Sequence, residues 1–236
     1  MDFYKGDIPI IDCDKERNIA LVNPMGVGSG LVPRDFAAEP HNVYGAPPSE
    51  IKVIPESQWD AYYDEQEEQQ SSLEHIFLRG GNAAFVNLDQ NGDGDCWAYS
   101  TGHAQMFQYL RDGAPVPRLN PHFIATYLRR FNGGWCGASM DVATRVGCCE
   151  EGTGPDQWPL HSHNTGLLTQ SRLDAAAKHK VTRNIYDVAK PIYGQEMTRL
   201  QVATLGLTNV PAPTDYNEMS HSMCQIRWVR VERGSW

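Results

Sequence analysis

Residues 89–110 restrict this chain's folding more than any other stretch. Asp89-Gln90-Asn91-Gly92-Asp93-Gly94-Asp95 is acidic and broken by glycine, as a turn requires, and Cys96-Trp97-Ala98-Tyr99-Ser100 then opens an apolar segment that continues to Leu110. A helix beginning at the cysteine sets its thiol in the first turn. Unpaired backbone N–H groups and the helix dipole favour an anion there, which lowers a cysteine pKa and suits a nucleophilic thiolate. The same position also suits a cysteine acting as a small buried hydrophobe.

The chain of 236 residues is long enough for one large domain or two lobes. Its 20 basic against 29 acidic residues give a net charge of −9, which argues against nucleic acid as a partner. No apolar run reaches membrane-spanning length, and no charged-then-apolar leader opens the chain, so neither membrane insertion nor secretion is expected. Cys13, Cys96, Cys136, Cys148, Cys149 and Cys224 form no disulfide framework and no C-x-x-C pair, which points to a reducing compartment.

Residues 1–55 read as an extended arm punctuated by seven prolines (Pro9 to Pro55) and by Gly26, Gly28 and Gly30, with short strand-like pieces at 8–11 and 51–54. Such an arm could wrap its own domain, lie across a partner or cover a cleft. One helix is expected over 57–78, with its acids crowded toward the N-terminus as a solvated face. Further helices are expected at 97–110, 122–131, 138–146, 171–180 and 196–204, and strands near 209–212 and 221–231. In the last strand the alternation slips at Val229 and Val231, as at a bulge. Helices first and strands last make the class α+β.

Gln90, then five residues, then Cys96-Trp97-Ala98-Tyr99-Ser100, with Gly94 two before the cysteine, resembles the active-site segment of papain-like cysteine peptidases. Asn132-Gly133-Gly134, Trp158-Pro159 and Ser220-His221-Ser222 continue the resemblance in order, over about residues 83–236. The style is also similar to papain-like proteins of bacteriophages and bacteria. The resemblance implies a two-lobed fold, helical lobe against strand-rich lobe, over 83–236 behind an arm and acidic helix at 1–82. It implies Cys96 as nucleophile, His221 as its base and Gln90 as oxyanion donor. Gly133 and Gly134 would admit an extended substrate backbone beside Trp135, and no cofactor is implied. The substrate would be a peptide or protein, the setting cytoplasmic or virion-associated. The alternative is a catalytically weak structural or scaffold protein that uses residues 1–82 to contact other subunits.

The chain departs from that family at several points. Asp93 and Phe131 stand where the family pairs two cysteines, and no Asn-Ser-Trp segment follows His221 to orient its imidazole. Asp93 and Asp95 bring negative charge toward the thiol. His103 is seven residues beyond Cys96, about 10 Å along the same helix, too far to serve as its base. Two metal readings compete. Asp89-x-Asn91-x-Asp93-Gly94-Asp95 matches the first half of a calcium loop, yet Ser100 replaces the closing glutamate. Cys136, Cys148, Cys149, His161 and His163 could ligate zinc but lack its spacing. No metal site is therefore assigned.

Overall fold

The computed structural model describes residues 53–81, 85, 90, 92–181, 199–216 and 221–227. The expected strand piece at 8–11, residues 51–52 of the piece expected at 51–54, and the phase slip at Val229 and Val231 lie outside them, and residues 53–54 are in no strand. The architecture is α+β: helices surround one long central helix, and an antiparallel strand pair lies against it.

The central helix, α3 (Cys96–Arg111), is buried on more than one face, so its sequence is apolar and small rather than amphipathic. Trp97, Ala98 and Met106 are buried within a core shared with Leu119, Phe123, Ile124, Val142, Cys148 and Trp158. A fully buried side chain of this size contributes about 2–3 kcal/mol. The rings of Phe123 and Trp158 meet edge to face, 5.2 Å between centroids.

Asn120 organises the entry to the next helix, α4 (His122–Leu128), and is almost wholly buried. Its backbone N–H donates to the Cys149 carbonyl at 2.8 Å. Its amide donates to the Trp158 and Pro159 carbonyls, both at 3.2 Å, and its Oδ1 accepts the His122 N–H at 3.1 Å. A buried amide satisfied this fully fixes the loop after α3 against the loop at 148–159. Helix α4 stops at Leu128, short of the expected 131, because Arg129 takes a left-handed φ of 55°.

Helix α5 (Cys136–Arg145) follows, then α6 (Gln170–Ala176), whose expected run to 180 tightens into a 3₁₀ turn over Ala177–His179. Thr169 caps α6 by accepting the Arg172 N–H at 3.4 Å.

The single helix expected at 57–78 is two. Helix α1 (Trp59–Gln69) ends where Gln70 turns left-handed at φ 47°, and α2 (Leu73–Ile76) restarts with the Ser72 hydroxyl as its cap. Tertiary contacts set the break. Helix α7 (Arg199–Leu207) lies against α1, with Ile54, Trp59, Ala203 and Leu207 forming a small core. Asn209 accepts from the Leu73 N–H and donates to the Ser71 carbonyl across the break. The acidic face is not wholly solvated, since Glu67 and Glu74 both pair with Arg227.

Strands β1 (Ala212–Tyr216) and β2 (His221–Gln225) pair antiparallel with Asp215 opposite Ser222 and Tyr216 opposite His221. Pro213 sits within β1, which a two-stranded ribbon tolerates. Among the described residues no helix is long and apolar enough to cross a membrane.

Candidate active site

The turn before α3 is built from residues 90–95. The Gln90 carbonyl accepts the Asp93 N–H at 2.9 Å, with Gly92 at φ 75°, a conformation other residues adopt only with strain. The Asp95 carbonyl then accepts from the Ala98 and Tyr99 N–H groups, and the Trp97 indole donates to the Gly94 carbonyl at 3.1 Å. These bonds fix Cys96 as the first residue of the helix.

Cys96 is only 1% exposed and packs with Trp135 and Ala138 at the start of α5. Its sulfur is thus reached only when a neighbouring side chain moves. Gly133 and Gly134 are both buried, and a Cβ at 134 would fall 2.6 Å from the Trp97 ring. Close approach to Trp97 therefore accounts for glycine at 134. The Arg130 guanidinium lies 4.1 Å over the Trp135 ring.

Strand β2, which His221 opens, is tied to α3 one turn past the cysteine. The Ser100 hydroxyl donates to the Met223 carbonyl at 2.6 Å. Ser222 is buried and Met223 is 40% exposed, as a strand alternating between core and solvent requires. Asp215, across from Ser222, accepts its hydroxyl and the Cys136 N–H, placing a carboxylate at the N-terminus of α5 where the dipole favours one.

None of the five cysteines among the described residues is in a disulfide. Burial pushes the thiols of Cys136, Cys148 and Cys224 well up, and that of Cys149 to about 12. Those four are poor nucleophiles at neutral pH.

A second cluster occupies the other side of the same turn, and sequence reasoning missed it. His122 Nε2 is 3.0 Å from Asp93 Oδ2 and 3.8 Å from Asp95 Oδ2. His163 Nε2 is 2.6 Å from Asp95 Oδ2. The His122 ring lies 5.0 Å from that of His163 and 5.3 Å from that of His161. Burial raises the Asp95 carboxyl to about 6, opposed by its bond to His163. Burial lowers His122, opposed by Asp93. The charge that the sequence brings toward the thiol at Asp93 and Asp95 is therefore engaged by imidazoles.

Of the zinc set considered from sequence, the two histidines, His161 and His163, belong to this cluster and the three cysteines do not. Cys136 contacts Trp97 and Ser100, Cys148 the Asn120 carbonyl and Cys149 the Arg172 carbonyl. Within the calcium-like segment, Asp93 and Asp95 are engaged with histidine, while Asp89 and Asn91 lie outside the described residues. The sequence signal for the cluster was thin: two histidines, His161 and His163, spaced by two in a loop, and a third at the start of α4.

His103 is enclosed near Phe85 and Tyr99, and burial lowers it to about 4. A separate cavity of about 80 Å³, lined by Glu150, Asp156, Gln157, Ala175, Lys178 and His179, is far smaller than ligand pockets of roughly 300 Å³ or more. Comparison with protein-family models, with curated proteins and with solved structures found no match.

Proposed function

We propose that the chain is a thiol-dependent peptidase or amidase of papain-like, two-lobed architecture, with Cys96 as nucleophile and His221 as base. The observation that carries this reading is the pairing of two starts: Cys96 opens α3, and the strand that His221 opens is bonded to α3 through Ser100 and Met223. Successive strand residues advance about 3.3 Å and one helical turn about 5.4 Å. His221 therefore starts two strand residues, and Cys96 one helical turn, from that shared bond.

In the proposed reaction His221 takes the thiol proton and the Cys96 thiolate adds to the substrate carbonyl. The Gln90 amide and the Cys96 backbone N–H donate to the oxyanion. His221 protonates the leaving amine as the C–N bond breaks, and water, deprotonated by the same imidazole, hydrolyses the thioester. Trp135, packed on Cys96, has to yield for the acyl group to enter.

The test is labelling of the full chain with an epoxide or chloromethylketone probe. Cys96 is expected to react faster than a free thiol at mildly acid pH, and His221→Ala to abolish that excess while leaving the fold's circular dichroism unchanged. Labelling of Cys96 no faster than free cysteine, or equal labelling in His221→Ala, would assign the chain to the scaffold class instead.

A further inference from the structure

On the far side of the turn that carries Cys96, side chains from three separate segments converge. Asp93 comes from the turn, His122 from the first residue of α4 and His163 from the loop before α6. One ligand-type atom from each lies within 4.8 Å of the other two. A tetrahedral zinc with bonds of 2.0–2.1 Å has donors about 3.3 Å apart, so a contraction of at most about 1.5 Å closes the set.

Three features go beyond proximity. First, His122 is oriented from behind. Its Nδ1 lies 2.9 Å from the Tyr99 hydroxyl and 3.3 Å from Asn120 Oδ1, an acceptor that can only take a proton from it. His122 Nε2 shares a hydrogen bond with Asp93 Oδ2 at 3.0 Å, and an ion there would replace the shared proton and take both atoms as ligands while Asn120 Oδ1 holds the proton on Nδ1. Second, the Asp95 side chain is wholly buried and, while its Oδ2 holds His163, its Oδ1 meets no hydrogen-bond partner. A buried carboxylate left half-satisfied costs several kcal/mol unless a cation lies close (on the order of 1–3 for the lost bond alone). Third, His161 Nδ1 is also buried without a hydrogen-bond partner, and its ring borders that of His122.

We propose that Asp93, His122 and His163 bind one divalent transition-metal ion of the zinc class, with the buried Asp95 carboxylate positioning His163. Two imidazoles with a carboxylate suit such an ion, whereas calcium and magnesium take oxygen donors. The ion clamps the 92–95 turn to α4 and to the loop at 161–163, and so holds the start of α3 in place. This inference stands apart from the peptidase proposal, because none of its ligands is a reacting group there.

The test uses the full chain stripped with chelator and titrated with Zn²⁺ against a chromogenic competitor, and then with Co²⁺. One equivalent of Zn²⁺ is expected to bind. The Co²⁺ form should show the absorption of a nitrogen- and oxygen-ligated centre without a thiolate charge-transfer band. Asp93→Asn and His163→Ala alter partly exposed side chains, so both variants should fold. Each should weaken binding by about 100-fold, and Cys96→Ser should bind as the parent does. Absence of stoichiometric binding, a thiolate band lost in Cys96→Ser or Cys136→Ser, or parental affinity in both ligand variants would overturn the assignment.

Discussion

A half-buried histidine on α3 and a fully buried one at the start of α4 meet desolvation in opposite ways. His103 sits by Phe85 and Tyr99, and desolvation alone holds it at about 4. His122 is more deeply buried, yet Asp93, Tyr99 and Asn120 surround its ring, and the carboxylate offsets part of the desolvation. Burial disfavours the imidazolium in both regions, but only in the second does it bring ring nitrogens and carboxylates face to face. A neutral imidazole among aromatic rings is packing material. The same imidazole between an amide and two acids is a directed donor.

The largest expected effect lies with His103. Its folded-state pKa is below the unfolded value, so the unfolded chain binds the extra proton between pH 6.5 and about 4. The stabilising effect is full above 6.5 and is lost as pH falls through that window, reaching about 3 kcal/mol. Urea unfolding at pH 7 and pH 4.5 should show His103→Phe losing less stability than the parent on acidification; equal losses would erase the contrast between the two sites.

His122→Leu should cost about 2 kcal/mol in chelator at pH 7, because the Tyr99 hydroxyl and Asn120 Oδ1 lose a buried partner. A loss no greater than that of a conservative apolar swap would make His122 equivalent to His103. The smallest effect calibrates both: Ser100→Ala removes one neutral bond to β2 and should cost about 1 kcal/mol by the same unfolding measurement.

Much of the fold was legible where one segment decides its own structure. The apolar run after Asp95 predicts α3, and Met140, Val142, Ala143 and Val146 predict the helix at 138–146 that is α5, within one or two residues of their ends. The break between α1 and α2 was not legible, because nothing local forces Gln70 left-handed. Asn209, some 140 residues away, bonds both sides of the break. The strand expected at 209–212 begins instead at Ala212, where pairing with β2 rather than local composition sets the register.

The candidate thiol was legible because one motif contains it, and Trp135, named as a pocket wall, packs on Cys96. The histidine and aspartate cluster was not. Its members are 29 to 70 residues apart in sequence, and no spacing rule joins Asp93 to His122 and His163. In sequence His163 groups with cysteines and Asp93 with a calcium-like loop. Only the turn's position against α4 brings them together.

Gln66 carries a further consequence. Its buried amide reaches the Gly206 and Leu207 carbonyls and Asn209 Oδ1, so it adds to the end of α7 from another part of the chain. The carbonyls at a helix terminus normally find a nearby glycine or water. Here Asn209, left-handed at φ 56°, ends the helix locally with the Val210 N–H on the Leu205 carbonyl, and the Gln66 bonds are added only after a loop of about 140 residues has closed, an entropic toll that grows slowly with length but must be met before any reward arrives. The bonds from Gln66 to the end of α7 are therefore a reporter of completed topology: they form when both distant segments have met, and break as soon as they part.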